Sequence, residues 1–228
     1  MLQLLSLIAV GWAAQASAAS ITCDVNAFDK ASGDILLYGN GPRAANDRAQ
    51  LEAKCLSEKK SLKFAENYAD QCVNGLGKGM LKIFIEGAGN EINKHCSNGP
   101  MKDKYVRIAP CINEKAGGDL YKCNRLLAAL LEGTLTHPKK KRVPLSCCSM
   151  NEYVTCVTKH ASKCGKETAD FAREIINTVA GDLLDTVCTK YKPNSKECRA
   201  LPKVNPASAP KYKSLLPPLA EVLDSLGS

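Results

Sequence analysis

The sequence has few of the residues from which most active sites are built. Of its 228 residues only three are His, and 5% are aromatic. It contains no G-x-S-x-G, H-E-x-x-H or P-loop pattern, which are the signatures of common hydrolases, zinc proteases and nucleotide-binding enzymes. His95, His137 and His160 are scattered, as is typical of ordinary surface or helix residues. The sequence therefore predicts a non-enzymatic protein with no cofactor and no metal site.

Long apolar runs are also missing after the first residues. Residues 2–14 are almost all apolar, and the small residues Ala14, Ala16 and Ala18 follow. This pattern is typical of a cleavable secretory signal peptide, here residues 1–18, and is too short for a membrane span of about 20 residues. No Asn has Ser or Thr two positions later, so the chain contains no N-x-Ser/Thr acceptor for N-glycosylation. We therefore expect a secreted, extracellular protein that lacks N-glycans and is not an integral membrane protein.

Cysteine, in contrast, is abundant. An even number of cysteines in an exported chain favours disulfide bonds throughout. The chain lacks the clustered C-x2-C or Cys/His spacing that is typical of zinc sites. The sequence does not determine the pairing. The twelve predicted disulfide cysteines are Cys23, Cys55, Cys72, Cys96, Cys111, Cys123, Cys147, Cys148, Cys156, Cys164, Cys188 and Cys198.

Six of these cysteines form two triplets with the same spacing. The triplet Cys55-Cys72-Cys96 recurs 92 residues later as Cys147-Cys164-Cys188. The residues before the third cysteine also match, since Ala88-Gly89-Asn90 corresponds to Ala180-Gly181-Asp182. The spacing predicts an internal duplication that relates residues 55–96 to residues 147–188, each half containing one helix pair.

The composition and the apolar spacing predict an all-α fold. Apolar residues recur at helical intervals in six segments, and a Ser149-x-x-Glu152 capping box marks the start of the fifth. Pro110 is expected to kink or break the third. We therefore expect a disulfide-rich bundle of about six helices in one domain, residues 19–198. The six segments cover approximately residues 45–73, 76–94, 102–115, 119–135, 149–164 and 167–190.

The composition changes after Cys198. Residues 199–214 are rich in Pro and Lys and predict a semi-extended spacer. Residues 215–228 then place Leu219, Val222, Leu223 and Leu226 on one face of a short amphipathic helix. Such a helix is marginal alone, so we expect it to dock on its own domain, to bind in a groove of a partner, or to fray.

The formal net charge is +8, and one basic cluster is conspicuous. Lys139, Lys140, Lys141 and Arg142 lie between two prolines, which predicts that a loop presents them. In a secreted protein such a cluster favours contact with an anionic glycan, a lipid surface or an acidic extracellular protein, or cleavage by an endoprotease. Nucleic acid is an unexpected partner, given the compartment and the lack of nearby aromatic residues.

The string Cys147-Cys148-Ser149-Met150-Asn151-Glu152 is similar to the active-site segment of secreted phospholipases A2. That family has His as the general base where this chain has Asn151. An amide cannot accept a proton at neutral pH, so water cannot be activated there. We therefore do not expect phospholipase activity.

A broader resemblance covers residues 55–198. Leu145-Ser146-Cys147-Cys148, Cys156, Cys164, the segment Ala180-Gly181-Asp182-Leu183-Leu184-Asp185, Cys188 and Cys198 resemble poorly characterised cysteine-rich secreted proteins of arthropods. Insect hemolymph glycoproteins are a more distant analogue. The resemblance implies a helical component of hemolymph or of a gland secretion, and no catalytic residue can be carried over from it.

Three functions are compatible with these observations. The first is a non-catalytic extracellular protein that acts through protein or surface contacts. The second is a carrier of small hydrophobic ligands, which requires a continuous apolar cavity of roughly several hundred Å³ between the helices. The third is a secreted effector such as a toxin or an inhibitor.

Overall fold

The structure is a computed structural model that describes residues 22–226. The predicted leader and the last two residues of the predicted tail lie outside this range. Within it the chain forms nine α-helices, a short 3₁₀ turn at Ser162–Cys164 and no β-strand, which confirms the disulfide-rich all-α prediction. The helices are α1 Val25–Ile35, α2 Arg48–Cys72, α3 Gly75–Cys96, α4 Pro100–Lys115, α5 Gly117–Thr134, α6 Lys139–Ala161, α7 Lys166–Val187, α8 Lys196–Arg199 and α9 Leu216–Leu223.

Helices α2, α3, α4, α5 and α7 lie where the apolar spacing predicts them. The start of α2 is fixed by Asp47, whose side chain accepts a hydrogen bond of 2.8 Å from the backbone N–H of Gln50. Such a cap satisfies one of the free N–H groups of the first turn. Helix α1, which the sequence analysis did not identify, is capped in the same way by Asp24. No helix in residues 22–226 combines the length and apolar character needed to cross a bilayer.

The predicted start of the fifth helical segment is wrong, and Pro110 does not break its helix. Helix α6 begins at Lys139, ten residues before Ser149, and Ser149 is buried inside the helix instead of capping it. Pro144 lies within α6, and Pro110 lies within α4 without breaking it. A proline inside a helix costs about 3 kcal/mol. Disulfide cysteines follow both prolines closely, and the covalent and packing constraints outweigh that local cost.

All twelve cysteines are paired. In each triplet the first cysteine bonds to the third, and the middle one bonds to a cysteine upstream of the triplet. Both halves of the predicted repeat therefore have the same pairing pattern. The disulfides are Cys23–Cys72, Cys55–Cys96, Cys111–Cys164, Cys123–Cys156, Cys147–Cys188 and Cys148–Cys198.

The helices pack as two similar units, α1–α2–α3 and α5–α6–α7. The two units meet mainly through α3 and α7, which form the most extensive helix–helix contact of the described chain. At this crossing Gly87 of α3 lies directly against the backbone of Val179 of α7, and these residues are 92 positions apart, the interval of the cysteine repeat. The core therefore lies between the two units and is shared by both.

The segment after α8 lies along the bundle. The backbone N–H of Ala207 donates a hydrogen bond of 2.9 Å to the carbonyl oxygen of Ala129 in α5. The carboxylate of Glu132 accepts hydrogen bonds from the backbone N–H groups of Lys211 and Tyr212. Residues 200–214 contain no helix, and these hydrogen bonds attach them to α5. Helix α9 then docks on its own domain, with Leu216 completely buried.

Candidate functional site

An apolar cavity lies in the shared core, between α3, α5, α6, α7 and α9. Its wall consists mainly of aliphatic side chains, and α9 covers one side of it. Representative lining residues are Phe84 of α3, Leu127 of α5, Met150 of α6, Leu183 of α7 and Val222 of α9. The cavity therefore lies where the two three-helix units and the C-terminal helix come together.

The cavity is large enough for a small molecule. Its volume is about 120 Å³. An engineered apolar cavity of about 150 Å³ binds benzene, so this cavity admits a molecule of about that size. It is smaller than the range of about 300–1,000 Å³ that is typical of sites for drug-sized ligands.

One end of the cavity is polar. Glu58 of α2 and Glu91 and His95 of α3 reach it, and within residues 22–226 these are the only acidic or basic side chains in its lining. The Nε2 atom of His95 lies 2.9 Å from Glu58 Oε2, and its Nδ1 atom lies 3.5 Å from Glu91 Oε1. All three residues are buried. The imidazole ring is thus held between two carboxylates, and it stacks against the ring of Tyr105.

The surroundings of His95 keep its imidazole protonated. Burial alone would lower its pKa, but the hydrogen bond to Glu58 and the negative charge of Glu58 and Glu91 outweigh burial and raise the pKa to about 9. At neutral pH both ring nitrogens therefore carry protons. The cluster contains one cation between two carboxylate side chains.

Glu91 is the residue of the cluster whose hydrogen-bonding capacity is unfilled. Neither of its carboxylate oxygens has a hydrogen-bond partner in the described structure, although its side chain is only 7% exposed. The 3.5 Å approach to His95 is an ion-pair contact and not a hydrogen bond. Buried polar atoms nearly always have partners, so these two oxygens mark a place where donors are missing.

Among the described residues two groups resemble metal sites, but neither offers a full ligand set. The first contains Cys55, Cys96, Glu58 and His95, and the second contains Cys123, Cys156 and His160. In each group the two cysteines are bonded to each other, so no thiolate is present.

The basic cluster is on a helix and not on a loop, contrary to the sequence-based prediction. Lys139 to Arg142 form the first turn of α6, with Pro138 at the N-cap position. The three lysines are exposed, whereas Arg142 is half-buried and donates through Nε to the carbonyl oxygen of His137. Consecutive residues of a helix point about 100° apart, so the four side chains do not form one flat patch.

Asn151 has a structural role in place of the catalytic one that a phospholipase would require. Its Nδ2 atom donates a hydrogen bond of 2.8 Å to the carbonyl oxygen of Tyr191. This bond links α6 to the turn after α7, close to the disulfide that joins Cys148 to Cys198.

Sequence reasoning missed the polar cluster and treated His95 as an ordinary surface or helix residue. The structure buries His95 and aims it at the cavity. Two features of the sequence could have indicated the cluster. Glu91 and His95 are four residues apart and so lie on one face of α3, and His95 directly precedes Cys96. Only the Cys55–Cys96 bond, which the sequence does not reveal, brings Glu58 to the same place.

Comparison with protein-family models, with curated protein sequences and with solved structures finds no match to this chain.

Proposed function

We propose that the protein is a secreted carrier of small, largely apolar molecules, which it binds in the cavity between the two three-helix units. The observation that carries the proposal is the cavity itself, with its aliphatic wall and its single polar end. A core that was filled by side chains would leave no reason to prefer a carrier. Six disulfides fit a protein that works outside the cell, in keeping with the predicted signal peptide.

The distribution of polar groups in the cavity supports binding and does not suggest a reaction. Ligand sites are mostly apolar and have a few polar groups that orient the ligand. Here the acidic and basic groups are confined to one end, and they hold each other in an ion cluster. The hydroxyl of Tyr153, which also lines the cavity, donates to Asn124 Oδ1 at 2.8 Å.

The natural ligand can be sought directly. The protein is purified from its source, or expressed with its disulfides intact, and is analysed by native mass spectrometry before and after extraction with organic solvent. The volume of the cavity is close to that of one that binds benzene, so we expect the native protein to carry additional mass of about 80–150 Da that extraction removes. A protein that is empty under gentle conditions, and that also fails to bind an added apolar probe, would contradict the proposal.

Contact with an anionic surface through Lys139, Lys140, Lys141 and Arg142 remains a second candidate function. The helix dipole adds partial positive charge at the start of α6, and the three exposed lysines add to it. We expect the variant with all four residues changed to Ala to leave a heparin column at lower salt. A matched variant with Lys59, Lys60, Lys63 and Lys82 changed to Ala has the same net charge and tests whether the effect is local. Equal elution of the two variants would dismiss the cluster.

A further inference from the structure

The polar end of the cavity has a chemical preference that follows from its acceptors and charges. We propose, on the basis of the carrier function proposed above, that the cavity selects ligands whose polar head donates hydrogen bonds, such as a primary amine or an alcohol, and that it discriminates against carboxylates. The head group would bind at Glu91, and the hydrocarbon part would lie among the aliphatic residues towards α9.

The first reason is the hydrogen-bonding capacity of Glu91. Both of its carboxylate oxygens lack partners, and the side chain is buried in the wall of the cavity. A buried acceptor without a donor is costly, and more so when it is charged. An ammonium group brings three donors and a hydroxyl brings one, so either head group supplies what Glu91 lacks. A carboxylate brings only acceptors and leaves Glu91 unsatisfied.

The second reason is the charge of the surroundings. Glu58 has two cationic neighbours, because its Oε2 atom meets His95 and its Oε1 atom lies 3.7 Å from the ammonium group of Lys54. In the described part of the chain Glu91 has one cationic neighbour, His95, which is also the partner of Glu58. Among the described residues that line the cavity none is Lys or Arg, the side chains that pair with a buried carboxylate head. A fatty acid would place a third carboxylate beside Glu91 without a cation of its own.

The acidic and basic groups lie on other helices than the C-terminal part of the wall. Glu58, Glu91 and His95 come from α2 and α3, whereas Leu219 and Val222 line the cavity from α9. A linear molecule with a polar atom at one end and a hydrocarbon chain matches this division. The volume of about 120 Å³ is close to that of a cavity that binds benzene, so it admits a chain of about six carbons.

Three probes with the same chain and different heads test the preference: hexylamine, hexanol and hexanoate. Each is titrated by calorimetry at pH 7 into the full-length, disulfide-bonded protein, from which bound material has been extracted. We expect hexylamine to bind at least tenfold more tightly than hexanoate, with hexanol also tighter than hexanoate. Hexanoate binding as tightly as either of the others would overturn the proposal about the head group.

A pair of variants assigns the preference to Glu91. In Glu91→Leu the unpaired carboxylate is replaced by an apolar side chain, and we expect the ratio of amine to carboxylate affinity to fall to within about threefold. Glu86→Leu makes the same change at an exposed position of α3 and should keep the wild-type ratio. An unchanged ratio in Glu91→Leu would overturn the assignment.

The two proposals can fail separately. The neutral probe benzene reports binding to the cavity without depending on a head group. If it binds while the three hexyl probes bind equally, the head-group proposal fails and the carrier proposal stands. If neither it nor any hexyl probe binds, the carrier proposal fails, and the head-group proposal fails with it.

Discussion

At the residue scale the most unusual feature is a buried histidine that is charged in the folded state. His95 is 5% exposed and lies between two carboxylates that favour its protonated form. In the unfolded chain the pKa of a histidine is about 6.5, whereas in the fold the pKa of His95 is raised to about 9. Folding therefore increases proton binding at this residue, and proton binding is linked to stability.

The sign of this linkage gives a pH-dependent stability. A raised pKa stabilises the fold fully below about pH 6.5, and the contribution is lost as the pH rises through about 9. The difference corresponds to roughly 3 kcal/mol. In urea unfolding between pH 6 and 9.5 we expect the free energy of unfolding of the wild type to approach that of His95→Gln as the pH rises.

A second histidine provides the control for this experiment. His137→Gln changes a histidine outside the cluster, and we expect it to keep the pH dependence of the wild type. If the gap between the wild type and His95→Gln is constant from pH 6 to 9.5, His95 is not held as a cation and the description of the cluster is wrong.

At the scale of single elements the crossing of α3 and α7 depends on a glycine. A Cβ atom at Gly87 would lie 2.7 Å from the carbonyl oxygen of Thr178 and closer still to that of Val179. These oxygens belong to the backbone of a packed helix and cannot move independently. Gly87 therefore determines how closely the two three-helix units approach each other.

Replacement of Gly87 by Ala should force α3 and α7 apart. We expect a loss of about 2–4 kcal/mol in the free energy of unfolding, because overpacking at a well-packed crossing is costly. Gly79→Ala is the matched control, since it makes the same change in the same helix where nothing lies within 4 Å. That control should be neutral or stabilising by up to about 1 kcal/mol. Similar melting temperatures for the two variants would contradict the close crossing.

Helix α9 covers the cavity without any covalent link after Cys198, the last cysteine of the sequence. It is held in part by Asp29 of α1, whose carboxylate accepts hydrogen bonds from the backbone N–H groups of Lys213 and Ser214 at 2.8 Å each. The hydroxyl of Ser214 donates to the same carboxylate at 2.6 Å. No disulfide joins this segment to the bundle, so we expect it to open more readily than the disulfide-bonded helices.

Removal of this attachment should loosen α9 without unfolding the bundle. In Asp29→Asn one acceptor oxygen becomes an NH₂ group that faces donors. We expect this to weaken the attachment of the C-terminal segment by about 1–3 kcal/mol. We expect faster hydrogen exchange at the amides of α9 and little change in α3 and α7. Asp182→Asn, at an exposed position of α7, should leave the exchange of α9 as it is. Equal protection of α9 in both variants would show that Asp29 does not hold it.

At the scale of the whole molecule, local pattern predicted most of the helices and little of the site. Five of the six predicted segments match observed helices because their apolar residues recur at helical intervals and face a common core. The start of α6 could not be predicted in this way, because Pro144 and Ser149 have local preferences that disulfides and burial override. The cavity and its polar end depend on disulfide pairing and on the contact between the two units, and neither is encoded in any short segment.

The repeated pairing pattern gives the cavity a structural explanation. Cys55–Cys96 and Cys147–Cys188 hold corresponding helix pairs in the two units. Two similar units that meet through α3 and α7 enclose space that neither fills alone, and α9 covers one side of it. The duplication of the sequence remains a prediction, and the shared cavity is what such an architecture would provide.

The cavity's capacity to bind is the central claim, and titration with benzene, which matches the volume of about 120 Å³, tests it most directly. Ala180 of α7 and Val143 of α6 line the cavity from different helices, so Ala180→Phe and Val143→Phe fill it independently. Ala53→Phe places the same side chain on the exposed face of α2. We predict saturable binding with one site in the wild type and in Ala53→Phe, and at least tenfold weaker binding in each folded filling variant. Absence of binding in the wild type, or equal binding in all four proteins, would contradict the account.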